Sequence, residues 1–540
     1  GGSHAPCLGS AARRAAIFQD ELCVSILQGL RRQLIADGRM KAGEVGFSMH
    51  DDGGDEIRNC MAEQPSPFRG APCEREPSSA LKFTTSRDRY VDDLTGLPLP
   101  EELCRAARRK EIDYFRSKGV WEIRPIAEAK KRTGKNPISV RWVETNKGDD
   151  INPNVRSRLV AREIRMNGED AIFAPTPPLE SLRMVLSYAA TNIAGHVQHV
   201  REASSEDRTQ ILMIDISRAY FNAKTDPDDP IYVQLPPELG APQGMCGLLR
   251  RHMYGTRRAA EGWQDEYSST LVDLGFTQGA ASPCVFSHPQ KGIVVSVHGD
   301  DFTAAGSKRN LDWFERAMRE RYEITTGGRL GPAPGDDKEA TVLNRVVRWT
   351  EHGLEYEADP RQAEKLIEEL DLAGEGVKGV VTPGVKTTAQ QIAGEQALGP
   401  DMHTFFRALA ARANYLAADR PDIMYAAKEI CRLMASPTDV AMTALKRLGR
   451  YLKAKPRLVL KFDFQSASRW EVYTDTDWAG CPRTRKSTSG GCLLLGNHVL
   501  KCWSSTQASI ALSSGEAEYY GVVRGVGVGL GQQALGRDAG

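Results

Sequence analysis

No two of the 11 cysteines stand at Cys-x-x-Cys spacing, so neither a zinc knuckle nor a secreted disulfide framework is indicated, and reduced thiols in an intracellular protein are the expectation. No apolar run is long enough to cross a bilayer. The opening GGSHAPCLGSAARR has neither the apolar centre of a signal peptide nor a starting methionine, and the chain therefore reads as an excised or partial product. Internal repeats are absent. So is any excess of one charge: 71 Lys and Arg against 70 Asp and Glu leave a net +1, which supplies no overall attraction to nucleic acid and directs attention to local clusters.

Three such clusters are present: Arg156, Arg158, Arg162 and Arg165; Arg250, Arg251, Arg257 and Arg258; and Lys446, Arg447, Arg450, Lys453 and Lys455. Each alone is as readily a solvated face as a binding face. With 41% hydrophobic and 26% charged residues in 540, the chain has the composition of a globular protein of roughly two to four domains. The first 85 or so residues are rich in Gly, Ser, Pro and mixed charge, and are expected to be linker apart from one amphipathic helix around Ile17 to Leu34. Beyond them the patterning predicts helices over Leu103 to Lys118 and Leu179 to Ala190, and strands near Ile138 to Glu144 and Arg158 to Ile164. Three helices punctuated by proline follow, over Thr404 to Ala418, Pro421 to Ala435 and Pro437 to Lys455, and then strands at Leu458 to Phe464 and Glu471 to Thr474. The mixture suggests an α+β fold.

Acidic residues at the ends of apolar runs carry the chemistry. In ILMIDISRAYF, Asp215 closes an apolar stretch, so a strand can deliver its carboxylate to a site while its neighbours anchor in the core. In GIVVSVHGDDFTAAG, Asp300 and Asp301 fall in a tight turn between two β-branched segments, a hairpin with two adjacent carboxylates at its tip. Adjacent like charges raise one another's pKa unless a cation compensates, which calls for a divalent metal. With Asp215 on a second strand, the three form a clamp for two Mg²⁺ ions about 3.5–4 Å apart, the arrangement used in two-metal phosphoryl chemistry. Tyr90, Val91, Asp92 and Asp93 offer a competing acidic pair, but they stand between polar TTSRDR and turn-rich LTGLPLP, without an apolar hairpin to hold them. Asp92 and Asp93 are therefore expected to be surface acids.

The ordered series VRWVETNKGDD, SRLVARE, FAPTPPLESLRMVL, DISRAYFNA, IYVQLPPE, HMYGTRRAAEGW, LGFTQGAASPCVF and VHGDDF resembles the reverse transcriptase of copia-type long-terminal-repeat retrotransposon polyproteins. YLAADRPDIMYAAKEICRLMASPT and ALKRLGRYLK are similar to the segment that follows the polymerase in that family, while YTDTDWAGCPRTRKSTSGGCLLLG and SSTQASIALSSGEAEYYGV resemble the start of its ribonuclease H. The resemblance implies a right-hand polymerase with fingers and palm over 86–330, a connecting, thumb-like helical region over 331–462, and a truncated ribonuclease H-like α/β domain over 463–540. It implies RNA-directed DNA synthesis on an RNA template or DNA primer/template from deoxynucleoside triphosphates with Mg²⁺, or Mn²⁺ in its place. An intracellular setting follows, in a cytoplasmic particle or the nucleus.

Carried over by residue, Asp215, Asp300 and Asp301 are the polymerase carboxylates and metal ligands, with the Ile216 carbonyl a further donor. Arg158 matches the arginine that contacts the incoming triphosphate, where a planar fork suits phosphate oxygens. Tyr220 matches the aromatic beneath the nucleotide sugar, Gly255 the glycine that lets backbone approach nucleotide and template, and Arg257 a phosphate or template contact. Asp475 and Glu516 match the first two ribonuclease H acids, although Ser513-x-x-Glu516 also spells a helix capping box; Asp477 and Glu518 are assigned supporting roles, and Asp538 none. On this reading the ribonuclease H set is incomplete within the 540 residues, so cleavage is expected to be absent and the apolar faces of Leu493 to Leu495 and of Ala511 to Leu530 to be incompletely covered. His298 and Gly299 depart from the family's usual turn, and Ala260 stands where proline is common. The Gly-Asp-Asp string also fits viral RNA-dependent RNA polymerases, against which the flanking motifs argue. A decayed or domesticated element that only binds nucleic acid is the alternative from another class. No integrase or protease signature is visible; the string Asp51 to Gly53 lacks the apolar flanks of an aspartic protease.

Overall fold

The structure is a computed structural model that describes residues 90–149, 151–164, 174–192, 207–467 and 469–540. The expected linker over 1–85, the helix at Ile17 to Leu34, the string Asp51 to Gly53 and Arg165 lie outside the described residues. The chain forms two compact units that are each discontinuous in sequence: one drawn from residues 174–219 and 264–540, the other from 90–164 and 220–263.

The second of these begins with the helix Glu101–Lys118, which has Glu101 and Glu102 in its first turn, Arg116 and Lys118 in its last, and Gly119 at φ 59° closing its C-terminus. Charge placement and the left-handed glycine both complement the helix ends. Its buried Phe115 packs with Val120, Leu159, Phe221, Leu249 and Met253. Two small sheets surround this core: the hairpin Val140–Asn146 with Val155–Ala161, and a three-stranded sheet of Trp121–Pro125, Met245–Leu249 and Tyr232–Val233. The hairpin strands lie two to three residues nearer their turn than expected. The Asn146 side-chain oxygen accepts from the N–H groups of Gly148 and Asn154, which tightens the turn and extends the pairing toward it.

The other unit is organised around an antiparallel six-stranded sheet in the order Ile324–Leu330, Thr209–Ile216, Asp301–Ser307, Ile293–His298, Val285–His288, Thr277–Gln278. The helix Leu179–Ala190, buried at every residue from Ser181 onward, packs in one core with Ile211 and Val294 of that sheet, with Val347, Tyr356 and Phe462 of a four-stranded sheet, and with Leu493, Leu500 and Trp503 of a C-terminal three-stranded sheet. Buried on every side, this helix has no solvent face. The segment expected to be a helical connection in fact opens with the antiparallel strands Glu339–Val342, Arg345–Thr350 and Gly353–Glu357; helices follow at Pro360–Glu369, Pro400–Ala417, Met424–Cys431 and Asp439–Ala454. Arg345, Arg348 and Glu355 interrupt the apolar alternation that would mark these strands in the sequence, and those charges are paired in the folded protein.

Leu493 to Leu495 are buried, contrary to expectation: Leu493 and Leu495 belong to the unit's main core, opposite Val472 and Trp470 of the neighbouring strand, and Leu494 packs with Cys492 and Val499. The closing helix Ser514–Asp538 does leave Tyr519, Val522, Val523 and Val526 exposed. Its far end is tied down: the Asp538 carboxylate accepts from the backbone N–H groups of Ala280, Ala281 and Ser282 at 2.7–2.9 Å. Gly279 makes room for it, since a Cβ there would lie 2.5 Å from Asp538 Oδ2. The described cysteines all carry free thiols. No helix among the described residues is long and apolar enough to cross a membrane.

One charged node lies inside this unit. Asp419 accepts from Arg183 Nη2 at 3.1 Å, Arg345 Nε at 2.9 Å and the Tyr356 hydroxyl at 2.5 Å, and Arg183 also donates to the carbonyls of Ala418 and Leu500. Removing the one anion from a buried cluster strands two guanidinium groups without water, a loss of about 3–5 kcal/mol in comparable sites. Asp419→Ala is accordingly expected to shift the urea unfolding midpoint strongly downward, whereas Lys461→Ala, which removes the looser surface pair with Glu355, should cost at most about 1 kcal/mol.

Candidate active site

Two neighbouring strands of the central sheet present the acids. Asp215 is next to last in Thr209–Ile216, whose other residues are all buried, so the strand is anchored on both sides of a half-exposed carboxylate. Ile293–His298 and Asp301–Ser307 form a hairpin in which His298 pairs with Asp301 across a two-residue turn of Gly299 and Asp300. Gly299 has φ 67°, the left-handed backbone that so short a turn requires and glycine supplies without strain. The outgoing strand then pairs with Thr209–Ile216 so that Asp301 lies directly opposite Asp215, and the Ile216 N–H donates to the Asp300 carbonyl at 3.0 Å. Directly opposed residues share a face, with Cβ atoms about 4.5–5.5 Å apart.

Electrostatics agree with that placement. Asp301 is exposed as a whole residue, yet its carboxyl is held up to about 6, first by the protein that displaces water around it and then by the negative charges of Asp300 and Asp215; His298 pulls the other way. Carboxylates crowded so that one cannot readily ionise fit a divalent cation, which would relieve the repulsion. Among the described residues no three His, Cys, Asp or Glu side chains are already gathered as a ligand set. The trio thus supplies backbone register and charge, and side-chain rotation would have to close it on an ion.

Arg158, Tyr220, Gly255 and Arg257 belong to the other compact unit. The Arg158 guanidinium lies 4.5 Å above the Tyr254 ring, and its buried Nη1 has no hydrogen-bond acceptor. A stacked guanidinium with an unmet donor is a ready receiver for an anion. Tyr254 in turn meets both Tyr220 and Phe221 edge to face, at 5.1 and 5.7 Å; Phe221 is buried in the core, whereas Tyr220 is only partly buried. Gly255 has φ 81°, and a Cβ there would strike the Ala161 carbonyl oxygen at 2.0 Å and Val160 at 2.6 Å. The close approach it permits is therefore to the strand that carries Arg158. The Arg257 backbone N–H donates to Glu163 Oε2 at 2.7 Å.

Three expectations need correction. Asp92 is no surface acid: it is 4% exposed and accepts from the N–H groups of Leu94, Thr95 and Asn146, bonds that hold its carboxyl below the usual range. Asp93 is exposed, as expected, and accepts from Glu144 N–H and Arg141 on the strand Val140–Asn146. Three of the five residues in the third basic cluster are engaged by the chain itself: Arg447 donates to Thr382, Arg450 to the Lys378 carbonyl, and Lys453 to the carbonyls of Leu372, Ala373 and Gly374, while Lys446 and Lys455 are exposed. Finally, Glu516 serves the helix end, where its carboxylate accepts from Leu512 N–H and the Tyr520 hydroxyl while Ser513 Oγ accepts from Glu516 N–H. The acid that meets Asp475 is Glu518. Asp475 is 7% exposed at the end of strand Trp470–Thr476, and burial followed by the charge of Glu518 drives its carboxyl upward. Helix geometry held the signal: residues two apart point to different sides, so with Glu516 held at the helix end by Leu512 N–H and Tyr520, Glu518 faces the strand. Asp477 is taken up by Thr488 N–H at 2.5 Å.

Residues 126–331 match the family described as reverse transcriptase (RNA-dependent DNA polymerase). Over 466 residues, 83% of its length, the chain is 26% identical to the retrovirus-related Pol polyprotein from transposon RE2 of Arabidopsis thaliana, of which it spans 29%. It is 23% identical to the corresponding polyprotein from transposon TNT 1-94 of Nicotiana tabacum, again over 83% of the chain and 31% of the relative. Among solved structures it is similar to a foamy viral protease-reverse transcriptase in complex with dsDNA, at 11% identity and a TM-score of 0.45, covering 98% of this chain and 89% of that one.

The raised Asp301 carboxyl fixes a sign for pH dependence. A group that folds with its pKa above the ordinary 3.8, here near 6, favours the folded state while protonated, and that contribution is lost as pH rises through 6. In chelator, Asp301→Asn should therefore melt at a higher temperature than the parent at pH 7.5 and lose the advantage by pH 4. Millimolar Mg²⁺ should raise the parent's melting temperature more than the variant's.

Proposed function

Since residues 126–331 match the reverse transcriptase family and most of the chain is similar to retrotransposon Pol polyproteins, we propose that the chain is the RNA-directed DNA polymerase of a copia-type retrotransposon, extending a primer 3′-hydroxyl with deoxynucleotides on an RNA or DNA template. The observation that carries the proposal is the register that sets Asp215 opposite Asp301 with Asp300 in the adjoining turn. Asp215, Asp300 and Asp301 hold the divalent cations. Bound Mg²⁺ would supply charge neutralisation at the attacking hydroxyl and the departing pyrophosphate. Arg158 binds the triphosphate through the nitrogen that has no acceptor in the protein, and Tyr254 fixes the plane of its fork. Tyr220, braced by Tyr254, lies beneath the sugar, where its ring leaves no room for a 2′-hydroxyl. Gly255 keeps the Arg158 strand close, and Arg257 contacts template or phosphate. In these terms residues 86–330 are fingers and palm, and 331–462 the connection.

An intact trio on a buried, fully paired sheet weighs against the alternative of a remnant that only binds nucleic acid. Asp300→Asn is expected to abolish primer extension on homopolymer RNA with Mg²⁺ or Mn²⁺ while leaving template binding within about twofold, because a neutral amide is a poor ligand for a hard cation. Extension at the parental rate would show that the metal site is misassigned.

The region 463–540 supports a second, hydrolytic reading, resting on the approach of Asp475 to Glu518. Glu471, Asp477, Glu516 and Asp538 are engaged elsewhere, by Tyr473, Tyr520 or backbone N–H groups, so Asp475 and Glu518 are the two carboxylates of this region that are seen to converge. Two-metal hydrolysis needs several, so the chain is not expected to cleave the RNA of a hybrid. In a polypeptide of this kind that does cleave, Glu518→Gln should abolish cleavage, whereas Glu516→Gln should cost only about 0.5–2 kcal/mol of stability as a lost cap. The reverse pattern would return the role to Glu516.

A further inference from the structure

The unit that contains Arg158 holds a cavity of about 370 Å³ lined by Lys118, Arg132, Lys224, Arg250 and Arg251 against a single acid, Asp226. Three of the five cations have duties in the fold. Arg251 donates to the carbonyls of Lys118, Phe221 and Asn222, Arg132 to the Pro227 carbonyl, and Arg250 to Glu122. Only the last is a charge pair. Carbonyl acceptors satisfy hydrogen bonds without neutralising a guanidinium, so most of the positive charge on the wall stays uncompensated. Lys118 lies 5.4 Å from the Tyr114 ring, a contact that orients the ammonium and likewise leaves its charge. Lys224 is exposed at the rim.

A concave wall of one sign concentrates its field and raises the local concentration of counter-ions. Water alone does not explain five cations around one space, since like charges gathered there cost free energy in its absence of an anion. Planar arginine forks beside flexible ammonium groups are the donor set that suits phosphate oxygens. We propose that this cavity binds phosphate groups. The site is separate from the Arg158 contact proposed for the triphosphate, and the inference does not depend on the polymerase reading. Arg251 connects it to the fold's other feature of interest, because the same guanidinium fixes the carbonyls of Phe221 and Asn222 immediately after Tyr220. Phosphate chemistry has two sources here, a compact polyphosphorylated small molecule or the backbone of a nucleic-acid strand.

The test uses the full chain carrying Arg158→Ala, in EDTA without primer or nucleotide, so that the proposed polymerase contacts contribute nothing. Inorganic tripolyphosphate is titrated calorimetrically, and a labelled single-stranded oligodeoxynucleotide is followed by anisotropy. Lys118→Gln combined with Lys224→Glu changes side chains that hold no backbone, and should weaken binding of at least one probe by roughly tenfold or more, about 1.4 kcal/mol. Loss with tripolyphosphate identifies a compact ligand; loss confined to the oligonucleotide identifies a strand. Asp226→Asn removes the only anion of the wall and should tighten the same probe, which keeps the test decisive if the double variant folds poorly. Affinities for both probes unchanged in the double variant and in Asp226→Asn would overturn the proposal.

Discussion

Everything at the candidate active site depends on strand register. A β-strand alternates its side chains between two faces, so a slip of one residue would carry Asp215 or Asp301 to the opposite side of the sheet. The two-residue turn at Gly299 and Asp300 prevents the slip on one edge, and the pairing of Ile324–Leu330 with the other edge of the Asp215 strand prevents it on the second. The acids themselves contribute nothing to this; their mutual repulsion, visible in the raised Asp301 carboxyl, opposes it. The buried residues on either side hold the charges together, which is how an apolar sheet can carry carboxylates whose proximity is itself unfavourable.

That sheet is in turn held by the helix Leu179–Ala190, whose burial on all sides joins three sheets into one core. The only charge it carries inward, Arg183, meets Asp419 from a distant part of the chain. A buried ion pair adds little net stability compared with a well-packed apolar contact, but breaking it is expensive. The Asp419 node therefore acts as a condition on assembly: the segment ADRPD must arrive in place for Arg183 and Arg345 to be buried at all. Asp538 plays a similar part at the other end of the same unit, where three N–H groups and a glycine receive it.

Local charge in this protein divides by what the charge touches. The helix Asp439–Ala454 reads as a basic binding face, yet its Arg447, Arg450 and Lys453 are donors to the chain's own hydroxyl and carbonyl groups. Arg158 and the cavity around Lys118 and Lys224 are different, because there the donors or the charges are left over once the fold is satisfied. Basic residues become evidence for a ligand only by that subtraction.

The sequence by itself singled out the acids of the candidate site. Asp215 and the pair Asp300 and Asp301 were legible because each closes or interrupts an apolar, β-branched run, and period-two burial is a local property. The helix Leu179–Ala190 and the hairpin turn were legible for the same reason. Tertiary structure decided what depends on contacts between distant residues. It buried Asp92 through Asn146, placed Leu493 and Leu495 in a core shared with distant strands, turned the charged segment 339–357 into a sheet with its charges paired, and gave Glu516 to a helix end while bringing Glu518 to Asp475. A carboxylate's role follows from its partner, and a partner remote in sequence leaves no periodic mark near the residue it meets.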